Sequence, residues 1–315
     1  MDSIEEQYNI QRIECYSDID IENGTAYIGG GRGGDIDKKR IVVWADDVEI
    51  DVSGSAVIRN CLLVVPDDRV VCIDCTTLRI EDTVFRDGSV LDYSCSNLII
   101  MGCKMRTLKG ICEGRALSRI EIRNCTPTVE CSFEDLEIED RTVFLNSIVV
   151  SNCGLYGTAA MDYRHLVSLD LSHNQLTEFK VKRLSNLKRL NLSHNRLEHI
   201  HHRYLLRMKS LKHIDLSHNE LTDIYPLDTS HELEYLKSID VSYNKIKDSP
   251  ISAIHRKRLE TLRLEGNPIQ SIEAYFRTSR RTLTVTVSKG VYYRPFKLIG
   301  QSDDVLHLEY DDDSY

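Results

Sequence analysis

The chain has 315 residues, 41% of them hydrophobic, which suffices for a sizeable buried core and excludes a disordered polymer. Its 40 basic and 49 acidic residues leave a net charge of -9 without any Lys/Arg cluster, which argues against nucleic acid as a partner, because phosphate binding needs a concentrated basic face. The opening "MDSIEEQYNI" lacks the basic-then-apolar order of a signal peptide, and no apolar run reaches the length of a membrane span, so neither a leader nor a span is expected.

Residues 1–52 carry no repeat and are expected to form an N-terminal cap, with "RIVVWADDVEI" short and strand-like. Within them "GGGRGGD" places GxGxxG at Gly29, Gly31 and Gly34, after the strand-like "TAYI" and with Asp51 near the distance of a ribose partner. A dinucleotide site needs a helix after the third glycine, so that its N-terminus faces the pyrophosphate. "DIDKKRIVVW" has no helical stripe, so the motif reads as a loop and no cofactor is expected. Three glycosylation sequons occur, at Asn23, Asn124 and Asn191, of which Asn23 is the credible acceptor.

From residue 53 the apolar residues follow neither a 3.6-residue nor a two-residue period. "SGSAVIRNCLL", "CTTLRIEDTVF", "CSNLIIMGCKM", "LSRIEIRNCTP" and "LNSIVVSNCGL" share a pattern in which Cys61, Thr83, Cys103, Cys125 and Cys153 fill one slot. "LVSLDLSHNQL", "LKRLNLSHNRL", "LKHIDLSHNEL", "LKSIDVSYNKI" and "LETLRLEGNPI" match LxxLxLxxNxL without a gap, with Asn174, Asn195, Asn219, Asn244 and Asn267 in the same slot. The longest step lies between Cys125 and Cys153, where "TVECSFEDLEIEDRTVF" reads as a longer outer segment. After Asn267 the motif stops. "RTLTVTV" alternates like a strand, "VYYRPFKLIG" supplies apolar cover, and "SDDVLHLEYDDDSY" reads as a solvated acidic tail.

These ten units resemble leucine-rich repeats, whose period is 20–29 residues. The resemblance implies an α/β-type leucine-rich-repeat solenoid: a curved horseshoe with a parallel concave β-sheet, about ten repeats, and N- and C-terminal caps. The corresponding division is residues 1–52 as N-terminal cap, 53–276 as solenoid and 277–315 as C-terminal cap with acidic tail. Inward leucines would stack from coil to coil, a core that one repeat cannot bury alone. The slot residue would satisfy backbone groups where the chain leaves the strand.

Four of the ten cysteines sit in the slot, and Cys75 and Cys95 take the first apolar position of their units, so these six read as core. Cys15, Cys72, Cys112 and Cys131 remain, with Cys112 and Cys131 the most plausible bridge, on the outer segments of neighbouring repeats. "VCIDC" contains CxxC at Cys72 and Cys75, but in a strand-rich run that favours packing over redox chemistry. His173, His194 and His218 each precede a slot asparagine, yet no carboxylate or cysteine joins the column, so no metal site is expected. No nucleophile elbow and no singled-out carboxylate pair appears, and no catalysis is expected.

The residues flanking the inward leucines should point out of the sheet. In the first half these are Arg79, Ile99, Met101, Glu121, Arg123 and Val149, a mixture of charge and apolar anchors that interfaces favour. In the second half they are mostly Asp and Ser. The "LDLSHNxLTxI" style resembles animal extracellular repeats, and "ECYSDIDIENGTAYIG" is similar to the opening of secreted insect leucine-rich-repeat immune proteins. These resemblances imply a secreted, non-catalytic protein that binds a protein ligand on its concave or lateral surface, with innate immunity as a setting. The alternative is an intracellular scaffold or adaptor with reduced thiols.

Overall fold

The computed structural model describes residues 10–13, 20–22, 25–29, 40–44, 47–65, 71–86, 92–108, 112, 116–136, 138, 144–224, 233–247, 258–275, 282–296 and 305–311. Asn23, Cys15, Gly31 and Gly34 lie outside them. Contacts divide the chain into two compact units, residues 1–155 and 156–315.

In the first unit, strands Thr25–Gly29, Val48–Arg59, Val71–Glu81, Asp92–Met101, Arg119–Arg123 and Ser147–Ser151 pair in parallel, each with the next. Strand Val48–Arg59 runs through residue 52, and Asp20–Glu22 pairs antiparallel with Thr25–Gly29. The long strands bend midway. In Val71–Glu81 the inward residues are Ile73, Cys75, Leu78 and Ile80, so two successive residues, Thr76 and Thr77, point outward at the bend. The register shift between Val52 and Ser55 marks the same bend one strand earlier. Such an extra residue bends the strand and re-aims the side chains beyond it.

The return segments are strands, which differs from the α/β-type repeat expected. Arg40–Trp44, Cys61–Val64, Val84–Phe85, Lys104–Met105 and Thr126–Pro127 pair in parallel as a second wall. The only helical turns among the described residues are Glu134–Leu136 and His202–Leu205. These paired stretches are two to five residues long, too short to nucleate a helix but long enough to pair with their copies one coil away.

In the second unit, Ser168–Asp170, Arg189–Asn191, His213–Asp215, Ser238–Asp240, Thr261–Arg263, Thr282–Ser288 and Val305–Asp311 form the parallel sheet. The last two strands carry it beyond the final motif, and Val305–Asp311 includes part of the acidic segment read as a solvated tail. Tyr156–Asp162 with Gln175–Arg183, and Ser271–Tyr275 with Tyr292–Phe296, make the outer pairs.

The slot residues are buried in both units: Cys61, Thr83, Cys103, Cys125 and Cys153 in the first, and all five asparagines in the second. Each is preceded by a residue of positive φ, namely Asn60, Asp82, Gly102, Asn124 and Asn152, then His173, His194, His218, Tyr243 and Gly266. That left-handed residue turns the chain out of the strand, and its N–H donates to the next repeat, as from Asp82 to the Met101 carbonyl at 2.9 Å and from His194 to the Ser217 carbonyl at 2.9 Å.

Candidate functional site

The first-unit sheet turns three columns of side chains outward. In register these are Tyr27, Val57, Arg79, Ile99, Glu121 and Val149; Arg59, Glu81, Met101, Arg123 and Ser151; and Ser55, Thr77, Asn97, Arg119 and Ser147. Alternation fixes this outcome, because Leu78, Ile80, Leu98, Ile100, Ile120 and Ile122 fill the opposite face. Over the columns lies a groove of about 520 Å³ lined by Tyr27, Ser55, Val57, Arg59, Thr77, Arg79, Glu81, Asn97, Ile99 and Arg119.

Arg79 Nη1 donates to Glu81 Oε1 at 3.1 Å. Arg119 Nη2 and Arg123 Nε donate to the two oxygens of Glu121 at 2.5 and 2.8 Å, and Arg123 Nη1 reaches Ser151 Oγ at 3.0 Å. Burial works to raise the Glu121 carboxyl, but the hydrogen bonds from Arg123 and Arg119 hold it below the ordinary range, so it is ionised at neutral pH. The glutamates lie deeper than their partners: side-chain exposure is 23% at Glu81 and 14% at Glu121, against 43% at Arg79 and 50% at Arg119. The arginine heads therefore face solvent above half-buried counter-charges.

Of the six residues expected here, Arg79 and Ile99 line the groove and Met101, Glu121 and Arg123 continue its face. Val149 is a correction: it points the expected way but is only 8% exposed, a short branched side chain in register with the longer Glu121. Ile99 and Met101 are half-buried. Sequence reasoning missed Ser55, Thr77, Asn97 and Arg119, which occupy the column one alternation earlier, and Tyr27, which extends the Val57 and Arg79 column. For the first four the signal was available at the residue immediately before the inward Ala56, Leu78, Leu98 and Ile120.

The matching face of the second unit is different. Ser172, Ser193, Ser217 and Ser242 are buried, and each backbone N–H donates to the side chain two residues back, for Ser217 to Asp215 Oδ1 at 3.0 Å. The Ser217 hydroxyl adds a second bond to the same oxygen at 2.7 Å. Asp and Ser on this face are thus local turn formers that satisfy one another.

The nine described cysteines are thiols, eight of them buried. The expected Cys112–Cys131 bridge is not formed. Cys131 Sγ instead accepts from the Leu108 N–H at 3.4 Å, stands 3.3 Å from Thr107 Oγ1, and donates to the Val129 carbonyl at 3.2 Å. Burial pushes the Cys61 and Cys75 thiols up to about 11 and Cys95 to about 12, which leaves them protonated and unreactive at neutral pH. Cys72 and Cys75 lie within one strand, without the helix start that would activate a CxxC pair. The His173, His194 and His218 rings stack at 4.0 Å and Tyr243 follows at 4.4 Å, a column set by their shared left-handed backbone. Among the described residues no three His, Cys, Asp or Glu side chains converge to hold a metal ion, and no helix is long and apolar enough to cross a membrane.

In the second unit Asn219 closes the repeat turn from both sides. Its Nδ2 donates to the Leu192, Leu216 and Ser217 carbonyls and its Oδ1 accepts from the Leu197 N–H. A family model for the leucine rich repeat matches residues 164–221 and 185–246. The chain carries leucine-rich repeats. Comparison with curated protein sequences gives no match. Among solved structures, an internalin from Listeria monocytogenes is similar at 15% identity and a TM-score of 0.45, over 76% of each chain. The Toll–Spätzle complex of Drosophila is similar at 14% and 0.38, over 81% of this chain and 47% of that one. The leucine-rich-repeat ectodomain of the receptor kinase GASSHO1/SCHENGEN3 from Arabidopsis thaliana, solved with Casparian strip integrity factor 2, follows at 13% and 0.30, over 82% and 45%. The chain spans about half the length of the last two.

Proposed function

We propose that these leucine-rich repeats form a non-catalytic binding protein that holds a protein ligand on the outward face of the first-unit sheet. The observation that supports this most is the contrast between two faces of one repeat pattern. Half-buried Ile99 and Met101 stand among solvent-facing arginines, whereas the equivalent second-unit positions are tied up in their own Asp–Ser turns. Apolar side chains ringed by arginine are the residue types that carry binding energy at interface centres.

The test is capture of partners on the immobilised chain, comparing wild type with Met101→Asp and with a second-unit control, Arg189→Glu. Met101→Asp should weaken the captured partner by at least about tenfold, because it removes an apolar anchor and introduces a charge. Capture that survives Met101→Asp but is lost with Arg189→Glu would move the site to the second unit.

The style of the repeats favours a secreted protein, with innate immunity as a setting and Asn23 as a glycan acceptor. A second reading, an intracellular scaffold, is supported by the thiols, since the described cysteines are unbridged and all but Cys72 are buried. Thiol titration under denaturing conditions separates the two: nine or more free thiols fit the reducing compartment. One or two bridges would fit secretion.

A further inference from the structure

The groove has an ordered layout across its strands. Arg79 stands on Val71–Glu81 and Arg119 on Arg119–Arg123, with Ile99 and Met101 on Asp92–Met101 between them. Arg59 lies on Val48–Arg59, one strand outside Arg79, and Arg123 lies two outward positions beyond Arg119 on the same strand. Arg59, Arg79 and Arg119 line the groove with Glu81, and Arg123 stands with Glu121 beside it, so the face is locally positive on a chain whose net charge is -9. Arg79 and Arg119 each direct one N–H to a glutamate, and a guanidinium has five. The groove thus pairs an apolar centre with forked donors on both sides.

We propose that this groove binds an extended peptide segment of the partner in which an apolar side chain lies between two carboxylates on the same face. The inference rests on the binding face proposed above and names its ligand chemistry. Arg79 and Arg119 stand two strands and two residues apart, about 12 Å, and an extended chain turns alternate side chains to one face, so carboxylates four residues apart, about 13 Å, reach both. The pattern is therefore acidic, any, apolar, any, acidic, with the three named side chains on the groove side. Planar guanidinium forks suit carboxylates, which they can take bidentately, and the half-buried Ile99 and Met101 suit the apolar side chain between them. A basic or purely polar segment would leave those donors facing like charge or nothing.

The probe is a fluorescein-labelled peptide, Gly-Ser-Glu-Ser-Leu-Ser-Glu-Ser-Gly, titrated against the full chain by fluorescence anisotropy beside versions with Lys or Gln in place of both Glu. The Glu peptide should bind at least about tenfold more tightly than either and weaken as salt is raised. Arg79→Glu with Arg119→Glu, and separately Ile99→Asp, should each cost about tenfold or more, while Arg189→Glu changes binding by less than about twofold. Melting curves check that the variants fold, and Arg79→Gln with Arg119→Gln replaces the charge reversal if it does not. Equal binding of the three peptides, or binding unaffected by the arginine and isoleucine variants, overturns the proposal. So does tighter binding of a heparin oligosaccharide than of the Glu peptide, which would make the face a general polyanion site. If Met101→Asp abolishes partner capture while the peptides bind alike, the face stands and its acidic specificity falls.

Discussion

Asn219 Nδ2 lies 2.9 Å from the Leu192 carbonyl, 3.0 Å from Leu216 and 3.2 Å from Ser217, while its Oδ1 takes the Leu197 N–H at 3.0 Å. All of these groups are buried, so Asn219→Ala should destabilise the fold by about 1–3 kcal/mol for each group left unpaired, read as a lowered melting temperature. An unchanged melting temperature would contradict the slot assignment. Gly266 makes a second case at φ +68°: a Cβ there would come within 2.5 Å of the Tyr243 ring. Neighbouring repeats carry Asn, His and Tyr at this backbone position, so left-handed strain alone is tolerated and the ring contact decides. Gly266→Ala should lower the melting temperature, and truncating the ring with Tyr243→Ala in the same chain should recover part of the loss. Burial of the slot was legible in the sequence because every unit repeats it with an amide, thiol or hydroxyl. Val149 was not, since pattern shows which way a side chain points but not how its longer neighbours cover it.

The stacked column of His173, His194, His218 and Tyr243 spans four successive repeats. Burial, then the neighbouring His218 and His173, lower the His194 imidazole from its ordinary value, and Asp215 opposes them. A base with a lowered folded-state pKa binds fewer protons folded than unfolded below that ordinary value. Its contribution to stability is therefore present above about pH 6.5 and is lost as pH falls through the folded-state value. The melting temperature should drop between neutral and mildly acidic pH, and His194→Asn, which keeps a residue tolerant of the left-handed backbone, should flatten that drop. An equally steep drop in the variant would place the dependence elsewhere. The histidines were legible as a column, and Asn, Asp or Gly at the same position in other units was the available sign that backbone geometry explains it. The strand return segments were not legible: stretches such as Lys104–Met105 are too short to show any period, and only pairing with neighbouring coils makes them strands.

At the scale of the molecule, one repeat pattern yields two kinds of surface. Where the slot holds asparagine, the outward Asp and Ser close on each other; where it holds mostly cysteine, arginine, glutamate, Ile99 and Met101 are left facing outward. The main-sheet strands of the first half were readable from the repeat pattern once cysteine or threonine was allowed in the slot. The groove was only half readable, because Tyr27 falls where the motif had faded and its pairing with Val57 appears only in the fold. Methionine and tyrosine are both sensitive to hydroxyl radicals, which makes Met101 and Tyr27 direct reporters of this face. Footprinting of the chain with and without its captured partner therefore tests the binding face most directly. Oxidation of Met101 and Tyr27 should fall on complex formation while Tyr243 in the second unit is unchanged. Protection of Tyr243 with Met101 and Tyr27 unaltered would contradict it.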